Sequence, residues 1–359
     1  MARRGRGTVP TFTVPTSPRP PAPTLMPRTA LLLLLAVAAC DSSGPAPASP
    51  ATFVGNTGDA GGGTVTRLDA AGAAEALAGL GGRVTGVAVS GRRLLVLVDS
   101  LGATTQGRLD VVDLDSGALV RRVAVGAPRA LALVGGTAYV SNSDTYSLTP
   151  VFLATGQTGP PIPVGDTPEG VVAVGNRVFV AGWGRGAGRD VRVVSALSRV
   201  VVDVLDVGCA GPRALLVDGE DEVWAFCTGG GGGGEAVVLD GGSGRVVARI
   251  ALGAPLGTAA GGQDAAFSAR HDEAYAAVGA GLARFDTRTN TLAGRIEVGG
   301  DAVAAVAYDD AADRLVLGRL ATTDPLGAPG SVSVHDRSGA ELARFAAGVG
   351  PASIAFRTE

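Results

Sequence analysis

The stretch from Val125 to Asn142, VGAPRALALVGGTAYVSN, decides the fold. It contains a Val-Gly step with a proline, an apolar run at 129–134, a Gly-Gly pair and a second apolar run at 137–141. Val and Tyr pack well on a pleated surface, and Gly-Gly permits the positive φ angles of a tight hairpin turn. Short apolar runs bounded by Gly or Pro do not complete helices of normal length. The stretch therefore predicts two antiparallel strands.

The same pattern recurs along the chain. The glycines of the recurring step lie at 126, 165, 208, 253, 299 and 348, which are 39, 43, 45, 46 and 49 residues apart. Each step is followed by four short strands; in the repeat after Gly126 the third and fourth are predicted at 151–153 and 161–164. Four strands in about 44 residues are typical of a β-propeller blade. The 309 residues from 51 to 359 are enough for seven blades.

The two ends of the repeat region complement each other. Residues 352–356 form a first strand without a successor, whereas 52–55, 63–69 and 75–80 match a second, third and fourth strand. A ring closed in this way hides the edges of its sheets. We therefore predict an all-β, seven-bladed propeller of four-stranded antiparallel blades. Its last blade combines one C-terminal strand with three N-terminal strands.

One family resemblance rests on these repeats. Tyr139-Val140-Ser141-Asn142, preceded by residues 125–131, resembles the YVTN-type β-propeller repeat, and 53–56 and 179–182 are looser copies. The resemblance implies a secreted or surface-tethered propeller, with lactonases and quinone-linked dehydrogenases among the relatives. It therefore implies a fold more firmly than a reaction.

The N-terminal segment has the pattern of a secretory signal. Arg28 precedes an apolar run from Ala30 to Ala39, and Cys40 follows. Residues 37–40, Val-Ala-Ala-Cys, resemble the lipobox of bacterial lipoproteins, which implies cleavage before Cys40 and a lipid on its sulfur. We predict a signal segment at 1–39, with Met26 as an alternative start, a lipid-anchored flexible tether at 40–50 and the propeller at 51–359. The protein would be secreted and lipid-anchored to the bacterial cell envelope, on its periplasmic or cell-surface side.

Charge limits the class of partner. The chain has 30 basic and 33 acidic residues, and loss of residues 1–39 removes five arginines and no acid, so a net charge of -3 becomes -8. Nucleic acid binding needs clustered cations, so we expect no nucleic acid partner. No apolar run reaches the roughly 18–20 residues of a spanning helix. We expect a monomer that contacts the membrane through its lipid and binds an envelope protein or a small molecule.

A candidate site is predicted where the first strands begin, around the central channel. Charged residues at this position alternate in sign over successive blades. They would form either a mutual ion-pair ring that closes the channel or a polar ligand site at its mouth, where loops converge. The first-strand residues are Arg129, Glu169, Arg213 and Asp264, and the flanking loop residues are Asn142, Trp183, Arg185 and Arg319.

Other residues with reactive side chains have structural interpretations. Cys209 and Cys227 would lie at the same end of one hairpin, which predicts a disulfide in an oxidising compartment. Aspartates such as Asp113 precede tight turns and would hold the turn backbone. The two histidines, His271 and His335, have no converging partners in the pattern. We therefore predict no catalytic residue, metal site or cofactor.

Two functions remain open at this point. The first is a binding or protein-interaction scaffold on the cell envelope. The alternative is a lactonase-like or quinone-linked enzyme with its site at the central funnel, using a metal held by Glu169, Asp264 and Asn142. We favour the scaffold, because no set of His, Glu and Asn residues recurs where a metal pocket needs it.

Overall fold

The structure is a computed structural model. It describes residues 51–59, 62–69, 74–77, 80–100, 106–229, 233–257, 263–279, 281–325 and 327–357. The predicted signal segment, Cys40 and the tether at 40–50 lie outside these residues.

The described residues form 28 strands and a single short 3-10 turn at Gly184–Gly186. The strands are β1 (Thr52–Asp59), β2 (Gly62–Leu68), β3 (Ala74–Leu77), β4 (Arg83–Ser90), β5 (Arg93–Asp99), β6 (Arg108–Asp113), β7 (Leu119–Ala124), β8 (Pro128–Val134), β9 (Thr137–Asn142), β10 (Ser147–Phe152), β11 (Ile162–Pro163), β12 (Pro168–Val174), β13 (Arg177–Gly182), β14 (Asp190–Ser195), β15 (Val200–Asp206), β16 (Pro212–Val217), β17 (Glu222–Cys227), β18 (Glu235–Asp240), β19 (Val246–Ala251), β20 (Ala265–Ser268), β21 (Glu273–Val278), β22 (Gly281–Asp286), β23 (Thr291–Glu297), β24 (Val303–Asp309), β25 (Arg314–Arg319), β26 (Pro329–His335), β27 (Glu341–Val349) and β28 (Pro351–Phe356).

These strands make seven four-stranded antiparallel sheets, which confirms the predicted seven-bladed propeller. Blades one to six are β4–β7, β8–β11, β12–β15, β16–β19, β20–β23 and β24–β27 in chain order, and blade seven has the order β28-β1-β2-β3. The first strand of each blade contacts the first strand of the next, and β28 contacts β4, so the ring closes.

Blade seven is built from both ends of the described chain. Val54 of β1 pairs with Ile354 of β28, and Phe53 pairs with Ala355. Phe53 packs in a core cluster with residues of blade one, and Val54 and Ile354 pack in another with residues of blade six. The composite blade is therefore sealed against both of its neighbours, as predicted.

The hydrophobic core lies between the faces of adjacent blades. Between blades four and five, Trp224 and Phe226 of β17 pack against Phe285 of β22, with ring centroids 5.5 and 5.8 Å from the Phe285 ring. All three side chains are fully buried. Edge-to-face and tilted aromatic pairs of this kind add to the apolar area that each blade buries. The second and third strands thus hold the ring together while the first strands face the channel.

A register shift recurs between the first and second strands. It falls near the start of the first strand in six blades, all except the fifth. A β-bulge re-aims the side chain of the extra residue. The residues inside the shifts include Thr85, Arg129, Glu169, Arg213, Ala304 and Ala352, and in blade five Asp264 directly precedes β20. The fold thereby brings one residue of each blade to the same end of the channel.

Blade two departs from the predicted strand limits. Its third strand begins at Ser147 rather than 151, and its fourth consists of Ile162–Pro163 alone. Proline lacks the N–H that a ladder needs; Pro160 and Pro161 precede this strand, and Pro163 is its second residue. The fourth strand is therefore shortened.

The turn aspartates have the predicted structural role. Asp113 Oδ1 accepts hydrogen bonds from the backbone N–H and the hydroxyl of Ser116. Asp240 and Asp336 accept the equivalent bonds from Ser243 and Ser338. These hydrogen bonds hold the pKa of each carboxyl below its usual value. The three residues stabilise turns on separate blades.

Candidate functional site

A cavity of about 590 Å³ lies in the channel, at the end where the first strands begin and the second strands end. We call this end the mouth face. The cavity is lined by the starts of β4, β8, β12, β16, β20 and β28, together with Thr57, Trp183, Gln263 and Asp264. Clefts where several elements converge are the usual ligand sites of rigid folds.

Arg129 lies on the wall between blades one and two. Its Nη1 donates to Asp99 Oδ2 at 3.0 Å and its Nε donates to Ser143 Oγ at 3.0 Å. The carboxylate of Glu169 is farther away, with Oε1 3.8 Å from Nε. Asp99 is thus the nearer counter-ion of Arg129. The sequence did not single it out, although it ends the second strand of blade one.

Arg213 and Asp264 form the closest ion pair of the cavity. The Nε and Nη2 atoms of Arg213 lie 2.8 and 2.7 Å from Asp264 Oδ2, and Nη2 also donates to the carbonyl of Leu256. Asp264 is fully buried, and its Oδ1 has no hydrogen-bond partner among the described residues. Burial raises the pKa of Asp264 to about 6, against the opposing effect of Arg213.

Glu169 extends from the bulge of β12 toward the same cavity. Its side chain is 21% exposed, and none of the described residues donates a hydrogen bond to its carboxylate. Burial raises its pKa to about 7, and nearby Asp264 adds to this, while Arg129 and Arg213 lower it. Among the described residues no ion pair joins Glu169 to Arg213. The four charged residues therefore form two separate pairs, Arg129 with Glu169 and Arg213 with Asp264, instead of a continuous ring.

Gln263 closes one side of the channel. Its carbonyl accepts a hydrogen bond from Val306 N, its own N–H donates to Ala352 O, and its Oε1 accepts from Ile354 N at 3.0 Å. It thereby links the first strands of blades six and seven. One feature of the sequence points to this residue, since the fifth repeat has an insertion after Pro255.

Trp183 and Arg185 have different positions. Trp183 lines the cavity, and its buried Nε1 has no hydrogen-bond partner in the described part of the chain. Arg185 is exposed within the 3-10 turn, with φ of 56°, and does not line the cavity. Both residues lie in the loop after β13, but only the Trp183 side chain lines the cavity.

Asn142 and Arg319 were expected as loop residues at the mouth, and the structure places both inside blades. Asn142 ends β9 fully buried, and its Nδ2 donates to Thr149 Oγ1 at 2.8 Å. Arg319 ends β25 fully buried, and it donates to the carbonyls of Val298, Gly299 and Asp301 at 2.8–2.9 Å. Neither side chain lines the cavity, because Asn142 turns onto β10 and Arg319 turns onto the segment that leads into its blade.

Asn142 and Arg319 occupy equivalent positions in their two blades. Each pairs with the first residue of its blade's first strand. A Cβ at Gly126, in the step before β8, would lie 3.1 Å from Asn142 Oδ1, so the recurring glycine leaves room for this side chain. Burial and the Arg344 charge lower the pKa of Arg319 to about 10. In blade six this position therefore clasps the Val298-Gly299 step with hydrogen bonds, whereas in blade two its side chain only packs on Gly126.

Cys227 holds the same position in blade four, since it pairs with Pro212. The structure joins it to Cys209 in a disulfide, with Cα atoms 6.0 Å apart. Cys209 follows the Val-Gly step at 207–208. The disulfide thus ties this position to the Val-Gly step covalently, as Arg319 does with hydrogen bonds in blade six.

Neither histidine lines the cavity, and the three residues expected to hold a metal do not come together there. His335 is buried beside Arg319, with Nδ1 2.9 Å from Gly339 O, and burial lowers its pKa. His271 lies in the turn between β20 and β21, 2.6 Å from Asp313 Oδ1. Across the described ranges, no three or more His, Cys, Asp or Glu side chains gather as a metal-binding group. Asn142 does not converge with Glu169 and Asp264.

Comparison with known proteins supports the fold. No family model matches the chain, and no curated protein matches it. Among solved structures, hydrazine synthase of Kuenenia stuttgartiensis is similar, with a TM-score of 0.64 and 18% identity over 76% of this chain and 89% of that one. A chain of a mitotic checkpoint complex has a TM-score of 0.60 and 14% identity over 73% and 79%. At these identities the likeness shows the propeller fold alone. None of the helices in the described residues has the length and apolar character needed to cross a bilayer.

Proposed function

We propose that this protein is a binding scaffold of the bacterial cell envelope, a YVTN-type propeller lipoprotein whose ligand site is the channel cavity at the mouth face. The observation that carries the proposal is the cavity itself, which is half-polar and lined by six blades. A ring closed by β-strand pairing holds those walls rigidly. Ligand binding to such a preorganised site spends little free energy on ordering the protein.

The charges of the cavity also support binding. Arg129, Glu169, Arg213 and Asp264 come from four successive blades and are partly desolvated. Polar groups of this kind fix the orientation of a ligand, while the apolar wall, including Leu131 and Leu215, supplies contact area. A small molecule or an inserted side chain of an envelope protein fits this chemistry.

The anchor is supported by the sequence at 28–40, with its charged start, apolar run and Val-Ala-Ala-Cys ending. Two or more acyl chains on Cys40 would hold the propeller stably at a membrane, since each buried CH₂ contributes about 0.8 kcal/mol. The lactonase-like or quinone-linked alternative stays a prediction from sequence, because no observation in the structure favours it.

The binding function is tested with a library of small polar fragments followed by ligand-observed NMR. Thr85 lines the cavity from blade one, so the substitution Thr85→Trp fills it. We expect fragments that bind the natural protein and are lost in the Thr85→Trp variant, with the circular dichroism spectrum unchanged. Fragments that bind both proteins equally would place the site elsewhere.

The anchor is tested separately by metabolic labelling with a radioactive fatty acid and by membrane fractionation in a bacterial host. The natural chain should take up label and sediment with membranes. The Cys40→Ser variant should do neither, and Ser42→Ala serves as the matched control. Membrane association of Cys40→Ser would contradict lipid anchoring.

A further inference from the structure

The hydrogen-bonding capacity of the cavity is unbalanced. Glu169 presents a partly exposed carboxylate to which no described residue donates a hydrogen bond. Asp264, on the same wall, has a fully buried Oδ1 without a partner in the described part of the chain. An ionised carboxylate can accept hydrogen bonds but cannot donate them. The cavity therefore has unused acceptor capacity at Glu169, and among the described residues the indole Nε1 of Trp183 is its one unused buried donor.

The arginines of the cavity donate no hydrogen bond to the Glu169 carboxylate. Arg129 is bonded to Asp99 and Ser143, and Arg213 is bonded to Asp264 and the carbonyl of Leu256. Each guanidinium thus has a counter-ion closer than Glu169. Arg83 lines the cavity but is exposed to solvent at its edge. Glu169 pairs with Arg129 only at 3.8 Å and accepts no hydrogen bond from a described residue, so its carboxylate is the acceptor that remains open to a ligand.

We propose that the cavity binds a small organic cation with N–H donors, an alkylammonium group, and that Glu169 is the carboxylate that recognises it. An ammonium group has three donors and no acceptor, which complements the partly exposed carboxylate of Glu169. A charge-assisted bond in a partly desolvated site is also stronger than the same bond in water. The inference rests on the proposed function, because it names the ligand class of that same cavity.

The test compares three probes of equal length by ligand-observed NMR titration at pH 8: n-butylammonium, n-butanol and butyrate. We expect n-butylammonium to bind about tenfold or more tightly than the other two. Glu169→Gln should weaken its binding by about 10- to 100-fold, because a neutral amide replaces the carboxylate. Glu235→Gln is the matched control, since Glu235 is ion-paired with Arg249 and does not line the cavity.

A pH series separates recognition by Glu169 from a structural effect. Arg129, Arg213 and Asp264 face Glu169, and its pKa is about 7. Binding of n-butylammonium to the natural protein should weaken as pH falls from 8 to 5, whereas the weak binding to Glu169→Gln should change less. A parallel pH dependence in both proteins would overturn the assignment of Glu169.

Each remaining outcome is decisive. Equal or tighter binding of butyrate or n-butanol overturns the inference, and so does the absence of n-butylammonium binding. If either neutral or anionic probe binds and is lost in Thr85→Trp, the binding scaffold stands and the cation preference falls. If no fragment or probe depends on the cavity, both proposals fall.

Discussion

Val54 pairs with Ile354 in the ladder that closes the ring, although the two residues come from opposite ends of the described chain. Both side chains are at least 96% buried and share a core cluster with blade six. The pairing joins blade one to blade six through a composite sheet. The channel cavity depends on this closure, since Ala352 and Ser353 of β28 form part of its wall.

The first prediction concerns this closure. Ile354→Ala removes buried methyl groups from a closely packed site and should cost about 2–4 kcal/mol of unfolding free energy. Val202 is a suitable control, since it is 52% exposed on β15, and Val202→Ala should stay within about 0.5 kcal/mol. Urea unfolding followed by circular dichroism measures both. Equal midpoints for the two variants would contradict a closing role for β28.

The fold was predictable because its signal is repeated. The Val-Gly step and the short valine-rich runs recur often enough that an irregular blade does not obscure the period. Blade two shows the limit of this reasoning. The spacing predicted its four strands, but the prolines around Ile162 removed ladder donors, so the fourth strand shrank to two residues.

The second prediction tests the clasp made by Arg319. Arg319→Met keeps the aliphatic stem but leaves the carbonyls of Val298, Gly299 and Asp301 without their donor. The carbonyl of buried Val298 then lacks a donor, and an unsatisfied buried acceptor costs about 1–3 kcal/mol, so we expect a loss of about that size. Exposed Arg185 gives the control, and Arg185→Met should melt like the natural protein. Differential scanning calorimetry measures both, and a small effect at Arg319 would show that the clasp is not stabilising.

The third prediction concerns the covalent clasp. We expect the natural protein to contain a Cys209–Cys227 disulfide, which the paired substitution to serine would remove at a cost of about 2–4 kcal/mol. Thiol alkylation followed by intact-mass measurement, with and without reductant, detects the bond. Both thiols labelled without reductant would show that it is absent. A lower melting temperature in reductant, unchanged for the double serine variant, would show that it stabilises the fold.

The fourth prediction concerns Arg213 and Asp264. Asp264→Ala leaves the largely buried guanidinium without its nearest counter-ion and should cost about 3–5 kcal/mol. The double variant Arg213→Met/Asp264→Leu should lose less than the two single losses combined, because neither charge then remains unpaired. Asp206→Ala is the control, since Asp206 pairs with Arg189 at 4.0 Å and is 76% exposed. Additive losses in urea unfolding would mean that the pair is not coupled.

The candidate site was only partly predictable. Arg129, Glu169 and Arg213 each follow a proline at the same place in the repeat, so aligning the repeats put them at one end of the channel. Asn142 and Arg319 were misplaced because the sequence does not show whether a strand-end side chain turns outward or onto Thr149 or the carbonyls of residues 298–301. Gln263 lies in an insertion, where no other repeat offers an alignment.

The last prediction is a pH dependence of stability. The pKa of Glu169 is about 7 in the folded protein, above its ordinary value of 4.5, so the folded state holds this proton longer than the unfolded state. The stability associated with this carboxyl is complete below about pH 4.5 and is lost as pH rises through about 7. Glu169→Gln does not titrate, so it should match the natural protein at pH 4 and exceed it by at most about 3 kcal/mol at pH 8.

Urea unfolding of Glu169→Gln at pH 4, 6 and 8 measures this difference, with Glu235→Gln as the control whose difference from the natural protein should change little. Parallel curves for Glu169→Gln and the natural protein would show that the carboxyl is not strained by burial. A widening gap would mean that the propeller keeps an ionised group at a cost in stability. Such a cost is typical of residues retained for a function other than stability.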